Sequence, residues 1–391
     1  MHITDIEHIL KDQYRPAIEN QIQTEPSPFL EKIKKTPLTG AGDIKWAAPI
    51  GVNGGFGFGA EGVDTPRAGA QNYADFSIRP VDMYVNLEIS NKTIQLANTD
   101  KAIMIRALDT EIKSSYETAK WNIARSLFGD GTGKLCSVSA GSSASNTVTV
   151  DDVNHLIEGL TVDFYANGAS TPAVSGRRIT AIDRVGKQIV IDGSPVTLEA
   201  GFMTVQNSYN RELCGMGAIF NDSIDTIYGK KKSENAWIKP TVIDAGNAIT
   251  DLVLYEGVQA AKRHKRANID MILCGDAAFK AYQDYMDSKK TQVITTQKFA
   301  GGATGYNVLV GNREVTIVNE QFVPTNKMWG VDTTQFELQC TNWDFVSHDG
   351  SSVFTLMNNS SIFRALMASY GNLICNNPGG LVEFTNCNDV A

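Results

Sequence analysis

The chain has 391 residues, 42% of them apolar and 20% charged, with a net charge of −8. That length exceeds one ordinary core, so two or three domains are expected. The acidic balance argues against a dedicated nucleic-acid binder, which needs a basic face. It does not exclude a wall that sits beside DNA without gripping it.

Six cysteines, Cys136, Cys214, Cys274, Cys340, Cys375 and Cys387, form no Cys-x-x-Cys pair, and no His lies at zinc-ligand spacing from them. The opening "MHITDIEHILKDQYRP" is amphipathic and charged, unlike a signal peptide. No apolar run reaches the length of a membrane span. These features read as an intracellular chain with reduced thiols, without a metal or cofactor.

Residues 1–39 read as an arm. Ile3, Ile6, Ile9 and Leu10 give one short helical stripe, which "TEPSPF" interrupts. Such a segment has little core of its own and lies against its own body or a neighbouring chain. Residues 40–75 then read as a long hairpin. Seven glycines fall between Gly51 and Gly69, and aliphatic residues are scarce there. A glycine-rich tip cannot form a core. The tip, Gly54, Gly55, Phe56, Gly57, Phe58 and Gly59, therefore reads as an intersubunit contact that orders on a neighbour, with the two Phe as apolar anchors.

The strongest helix spans 100–128. Met104, Leu108, Ile112, Tyr116, Ala119, Ile123 and Leu127 recur at spacings of four and three. Thr99 or Asp100 suits its N-cap, and Asp109 with Lys113 forms an i,i+4 pair. At 1.5 Å per residue the helix runs roughly 40 Å, long enough for a spine across a flat subunit.

The helix ends in "SLFGDGTGKL". This resembles a phosphate loop but fails on spacing. Phe128 stands where the first glycine belongs, Leu135 follows Lys134 in place of Ser or Thr, and the helix precedes the loop. It reads instead as a helix stop and elbow, Gly129, Asp130, Gly131 and Gly133, with Gly129 at the left-handed position. Residues 136–213 lose helical periodicity. "NTVTVDD", "LTVDFYA", "RRITAIDRVGKQIVIDG" and "GFMTVQN" read as strands of an inserted all-β module of sandwich or barrel type. From about Gly215 the pattern is α/β: a helix over Thr241–Arg263, a buried strand in "IDMILCG", a helix in "DAAFKAYQDYM" that Asp276 caps, and strands in "YNVLVG", "REVTIVN" and "KMWGVD". A final strand pair flanks "NPGG".

Catalytic constellations are not legible. His2, His8, His155, His264 and His348 sit in no HExxH motif, and none lies near a Gly-x-Ser-x-Gly elbow. His264 lies in "KRHKR", which with "KKK" at 230–232 reads as a solvated helix end. Cys214 reads as a small buried residue. The chain is therefore expected not to be an enzyme.

The order of parts carries a resemblance. An arm, a glycine-tipped hairpin, a spine helix ending in "FGDGTG", and an α/β part with "KMWGVD" and "FRALMASYGNL" together resemble the major capsid protein of tailed bacteriophages, the Hong Kong 97-type fold. The resemblance implies an α+β fold with an N-arm (1–39), an E-loop hairpin (40–75) and a P-domain (76–135) carrying the spine helix. It further implies an A-domain (214–334), P-domain return strands (335–360) and A-domain C-terminal strands (361–391), with an inserted small β domain at 136–213.

By the same resemblance the chain self-assembles into hexamers and pentamers of an icosahedral virion head around double-stranded DNA, with that DNA held only by proximity. Assembly takes place in the host bacterial cytoplasm, away from membranes. It uses a separate scaffolding protein, a portal and decoration proteins. An encapsulin-like nanocompartment and an α/β enzyme with a β appendage are the alternatives. Some relatives cross-link their shells through an E-loop lysine. No Lys occurs between Lys45 and Lys92, so no such cross-link is expected. The short arm likewise implies that no scaffolding domain is fused ahead of it.

Overall fold

One strand organises the first sheet. Ile362–Cys375 alternates Phe363, Ala365, Met367, Leu373 and Cys375 toward a core with Arg364 and Tyr370 turned away. Along one edge it pairs with Val81–Ser90 over ten positions. Along the other it receives Phe336–Cys340, Asp344–Val346 and Phe354–Leu356 in succession. Lys34–Pro37 adds a parallel strand outside Phe336–Cys340. Across the long pair, Asn86 Oδ1 accepts from Arg364 Nε at 2.9 Å on the solvent face.

The computed structural model describes residues 27–40, 42–50, 54–62, 64, 67, 69, 71–91, 101–289, 295–299, 302–311, 313–346, 354–357 and 360–388, and of 89, 101–112, 264 and 295 only the backbone. The arm stripe at Ile3, Ile6, Ile9 and Leu10 falls outside these residues. So do the Thr99 or Asp100 cap and the side chains of Met104, Leu108, Asp109 and Ile112.

The spine helix is Lys101–Phe128. Tyr116, Ile123, Ala124, Leu127 and Phe128 bury their side chains in the core that the first sheet shares. Ahead of it, the short helix Pro28–Lys32 plugs Phe29 and Leu30 fully into the same core. Phe29 meets Phe336 edge-on at 5.0 Å between ring centroids. Burying each such side chain contributes roughly 1.5–3 kcal/mol.

The second sheet has seven strands, in the order Thr241–Asp244, Val382–Thr385, Met328–Val331, Met271–Cys274, Arg313–Asn319, Thr304–Val310 and Thr295–Lys298. Its middle strands serve two cores at once. Met271 and Leu273 face the spine-helix core, while Ile272 and Cys274 face the helices Asp251–Lys265 and Asp276–Ser288. That explains why "MILC" is an unbroken apolar run without alternation.

The inserted module is a barrel. Its strands run in the order Lys134–Val138, Gly201–Val205, Thr161–Ala166, Val174–Asp183, Gln188–Ile191 and Thr147–Thr149. A bridge between Val138 and Val150 joins the first strand to the last and closes the ring. Leu135, Val148, Val162, Phe164, Ile179, Ile189 and Met203 fill its interior.

Five expectations need correction. Thr241–Arg263 is not one helix: the β-branched Thr241–Asp244 forms an edge strand, and the helix begins at Asp251 with Thr250 as its N-cap. Gly275, not Asp276, is the N-cap of the next helix. "FRALMASYGNL" is the centre of the first sheet, because its alternation suits pairing with Val81–Ser90; of 361–391, only Val382–Thr385 joins the second sheet. The barrel also starts at Lys134 and the hairpin's second strand runs on to Ile78.

Candidate assembly surfaces

The glycine-tipped hairpin is built from Ile44–Pro49 and Tyr73–Ile78, paired antiparallel from Ile44–Ile78 to Pro49–Tyr73. Its alternation divides it into two faces. Ile44, Trp46, Ala48, Ala74 and Phe76 turn toward the body, while Lys45, Pro49, Tyr73 and Asp75 stand in solvent. Residues 54–60 lie outside any strand. Phe56 and Phe58 are 81% and 96% exposed, and their rings meet each other edge-on at 5.4 Å. A Cβ added at Gly54, Gly59 or Gly62 would meet no atom within 4 Å. Gly55 and Gly57 lie in the same exposed stretch. The tip therefore offers about two phenylalanines of apolar surface that the described residues of its own subunit do not cover.

The elbow is a junction of four parts. Asp130 Oδ1 accepts from the Thr132 N–H at 2.9 Å and from Thr132 Oγ1, which closes an Asx-type turn. The helix stops at Phe128, as expected; Gly131 and Gly133 take φ of +84° and +76°, while Gly129 is not among the left-handed residues, so the left-handed turn falls two residues further along the chain. A Cβ at Gly133 would stand 2.7 Å from the Ser208 carbonyl oxygen. The Thr132 carbonyl accepts from the Asn210 N–H at 2.8 Å, so the barrel's entry and exit meet here. Arg125 of the spine pairs with Glu212 at 2.5 Å, with both groups buried.

Several residues of the junction were not singled out in the sequence. Gly215 and Gly217 let the next segment press onto the spine's last carbonyls: a Cβ at Gly215 would stand 2.4 Å from Leu127 O, and one at Gly217 2.5 Å from Phe128 O. The C-G-M-G spacing was the available signal. Asn372 Oδ1 accepts from the Cys214 N–H and ties the junction to the first sheet. Phe322 meets Trp121 at 5.6 Å and His155 of the barrel at 5.9 Å. Burial, and then the nearby Arg125 cation, hold His155 below its ordinary pKa.

The lysine run at 230–232 is not simply solvated. Lys232 is 2% exposed, and its Nζ donates to the carbonyls of Ala218, Ile219 and Asn221, each at 2.8 Å. An ammonium thus caps the C-terminus of the short helix Met216–Phe220 from another segment. "KRHKR" does end a helix. Lys265 Nζ donates to the carbonyls of Ala236 and Trp237, and Arg266 takes the left-handed cap at φ +54°.

Glu320 is a buried carboxyl where the arm meets the body. Its Oε2 accepts from Ser27 Oγ at 2.7 Å, and Ser27 Oγ also accepts from the Phe29 N–H. Burial pushes Glu320 up to about 7.

Among the described residues, groups that could hold a metal ion do not converge. Burial pushes the thiols of Cys214 and Cys387 up to about 12, the opposite of an activated nucleophile. None of the described helices is long and apolar enough to cross a membrane. A groove on the barrel, lined by Ser139, Ser143, Ser145, Thr149 and Leu198, holds about 70 Å³. Small-molecule sites span roughly 300–1,000 Å³.

No protein-family model matches the sequence, and no curated protein matches it. Solved structures do match in fold. A chain of the cyanophage A-1(L) capsid asymmetric unit aligns over 95% of this chain and 92% of its own, with 10% identity and a TM-score of 0.50. A chain of the satellite phage P4 procapsid aligns over 95% and 98%, with 10% identity and a TM-score of 0.43. A chain of the SrpI encapsulin complex from Synechococcus elongatus aligns over 93% and 89%, with 11% identity and a TM-score of 0.44. Over nearly the whole chain the fold is thus similar to that of the cyanophage capsid chain, and the protein has the Hong Kong 97-type capsid fold.

Proposed function

We propose that this protein is the major subunit of an icosahedral phage head. Copies associate into hexamers and pentamers, close into a shell, and enclose double-stranded DNA by proximity. The hairpin tip carries the reading: two phenylalanines on a glycine-rich loop are exposed on their own subunit, on a fold shared with a capsid chain. A closed shell sets one surface against another many times over. Distributing contact over an arm, a hairpin and domain edges makes modest contacts strong together.

Within this reading the hairpin is the intersubunit contact, through Gly54, Gly55, Phe56, Gly57, Phe58 and Gly59. The elbow at Gly129, Asp130, Gly131 and Gly133 is the rigid joint that fixes the spine to the barrel. The sheet around Ile362–Cys375 and the spine helix form the P-domain; the seven-stranded sheet with its two helices forms the A-domain. The barrel is a decoration whose role is to stabilise subunit contacts. The subunit is a structural protein of the virion, assembled in the host cytoplasm with a separate scaffolding protein and a portal.

The test is Phe56→Ser with Phe58→Ser. Burying both rings at an interface contributes roughly 3–5 kcal/mol per copy, so the assembly threshold should rise by at least a hundredfold. Sedimentation reads assembly and urea unfolding reads the isolated subunit. Unchanged assembly overturns the assignment of the tip; lost assembly with unchanged subunit stability supports it.

A further inference from the structure

A strained segment lies at the root of the hairpin, where the one aromatic among the described left-handed residues sits. Tyr228 is a large, buried residue held at φ +50°, and Gly229 follows at +76°. Left-handed backbone is uncommon for a bulky side chain and persists only where its surroundings fix it. Two consecutive positive φ values between the paired Thr226–Ile227 and Lys230–Lys231 make a type I′-like turn.

Three parts of the subunit hold this turn. On the hairpin, the Tyr228 carbonyl accepts from the Ser77 N–H at 3.2 Å. The Tyr228 ring meets Trp46 at 5.0 Å and Phe76 at 5.7 Å, both edge-on. On the first sheet, Tyr228 OH reaches the Leu373 carbonyl at 3.5 Å. At its base, Ser233 donates from N and Oγ to the two Asp225 carboxylate oxygens, and Lys232 is pinned by its three carbonyls. A tilt of about 15° at the root would move the strand ends by roughly 4 Å, at ~3.4 Å per residue.

We propose that the Asp225–Ser233 turn is the positioning element that aims the glycine-tipped hairpin. Tyr228 wedges the turn between hairpin and sheet, and Gly229 lets the turn close against Ser77, where an added Cβ would stand 3.1 Å from Ser77 Oγ. The importance of this aim for assembly rests on the shell reading; the aim itself is a property of one subunit.

The experiment therefore uses unassembled full-length subunits. Spin labels at Asp75→Cys on the hairpin and Ser114→Cys on the spine report their separation by pulsed electron resonance. Both positions are exposed, and the six native thiols are buried or half-buried. The parent should give one narrow distribution. Tyr228→Ala and Gly229→Val should each shift it or at least double its width, while Tyr228→Phe, which keeps the wedge, leaves it narrow. Folding is checked by circular dichroism. If Tyr228→Ala does not fold, Gly229→Val decides alone. An unchanged distribution in a folded Tyr228→Ala or Gly229→Val overturns the proposal, whatever becomes of the shell.

Discussion

Glu320→Gln isolates the buried carboxyl that anchors the arm. The folded protein holds Glu320 at about 7 against an ordinary 4.5, chiefly by desolvation. The difference corresponds to about 3 kcal/mol. Below pH 4.5 both folded and unfolded chains carry the proton, and the group's contribution is fully present. As pH rises toward 7 the unfolded chain has already ionised while the folded one has not, so stability falls; above 7 the loss is complete. Glutamine keeps an oxygen to accept from Ser27 and stays neutral throughout. Urea unfolding at half-unit steps from pH 5 to 8.5, on subunits carrying Phe56→Ser and Phe58→Ser to suppress assembly, measures the difference. The variant should gain on its parent as pH rises, reaching about 3 kcal/mol near pH 8. Parallel stability curves for the two proteins would refute the reasoning, because a solvated carboxyl at this site would give no slope.

Four further outcomes follow from the same packing. His155 is held below its ordinary 6.5, so its contribution is present above that pH and lost as pH falls; His155→Gln should flatten the acid side of the same unfolding series. Lys232→Met strands three buried carbonyls and should lower stability by about 2–4 kcal/mol at pH 7, read from the urea midpoint at unchanged slope. Gly215→Ala places a Cβ 2.4 Å from a spine carbonyl and should destabilise by about 3 kcal/mol. Gly42→Ala, with nothing within 4 Å, should change the thermal midpoint little.

The parts of this protein that local chemistry determines were legible in sequence. Short β-rich runs without helical periodicity marked the barrel strands, the spacing of Tyr116, Ile123 and Leu127 marked the spine, and glycine density marked the tip. What was not legible depends on partners distant along the chain. Nothing local says that "FRALMASYGNL" pairs with Val81–Ser90, nearly three hundred residues earlier. Nothing in a run of three lysines says that the third meets the end of a short helix. The helix stops before Gly129 as the sequence implied, but the left-handed residues are Gly131 and Gly133, because Asp130 and Thr132 build their own turn. The arm anchor at Ser27 and Glu320 joins residues 293 apart, and only the fold brings them into contact.

Electron cryomicroscopy of the purified full-length protein, alone and with a co-expressed scaffolding protein, tests the central claim most directly. The account predicts closed shells built of five- and six-fold rings, with the Phe56–Phe58 tip buried on a neighbouring copy and DNA inside particles taken from infected cells. A small oligomer that persists at every concentration and with the scaffold present would contradict it, and shells filled with protein in place of DNA would contradict the virion assignment.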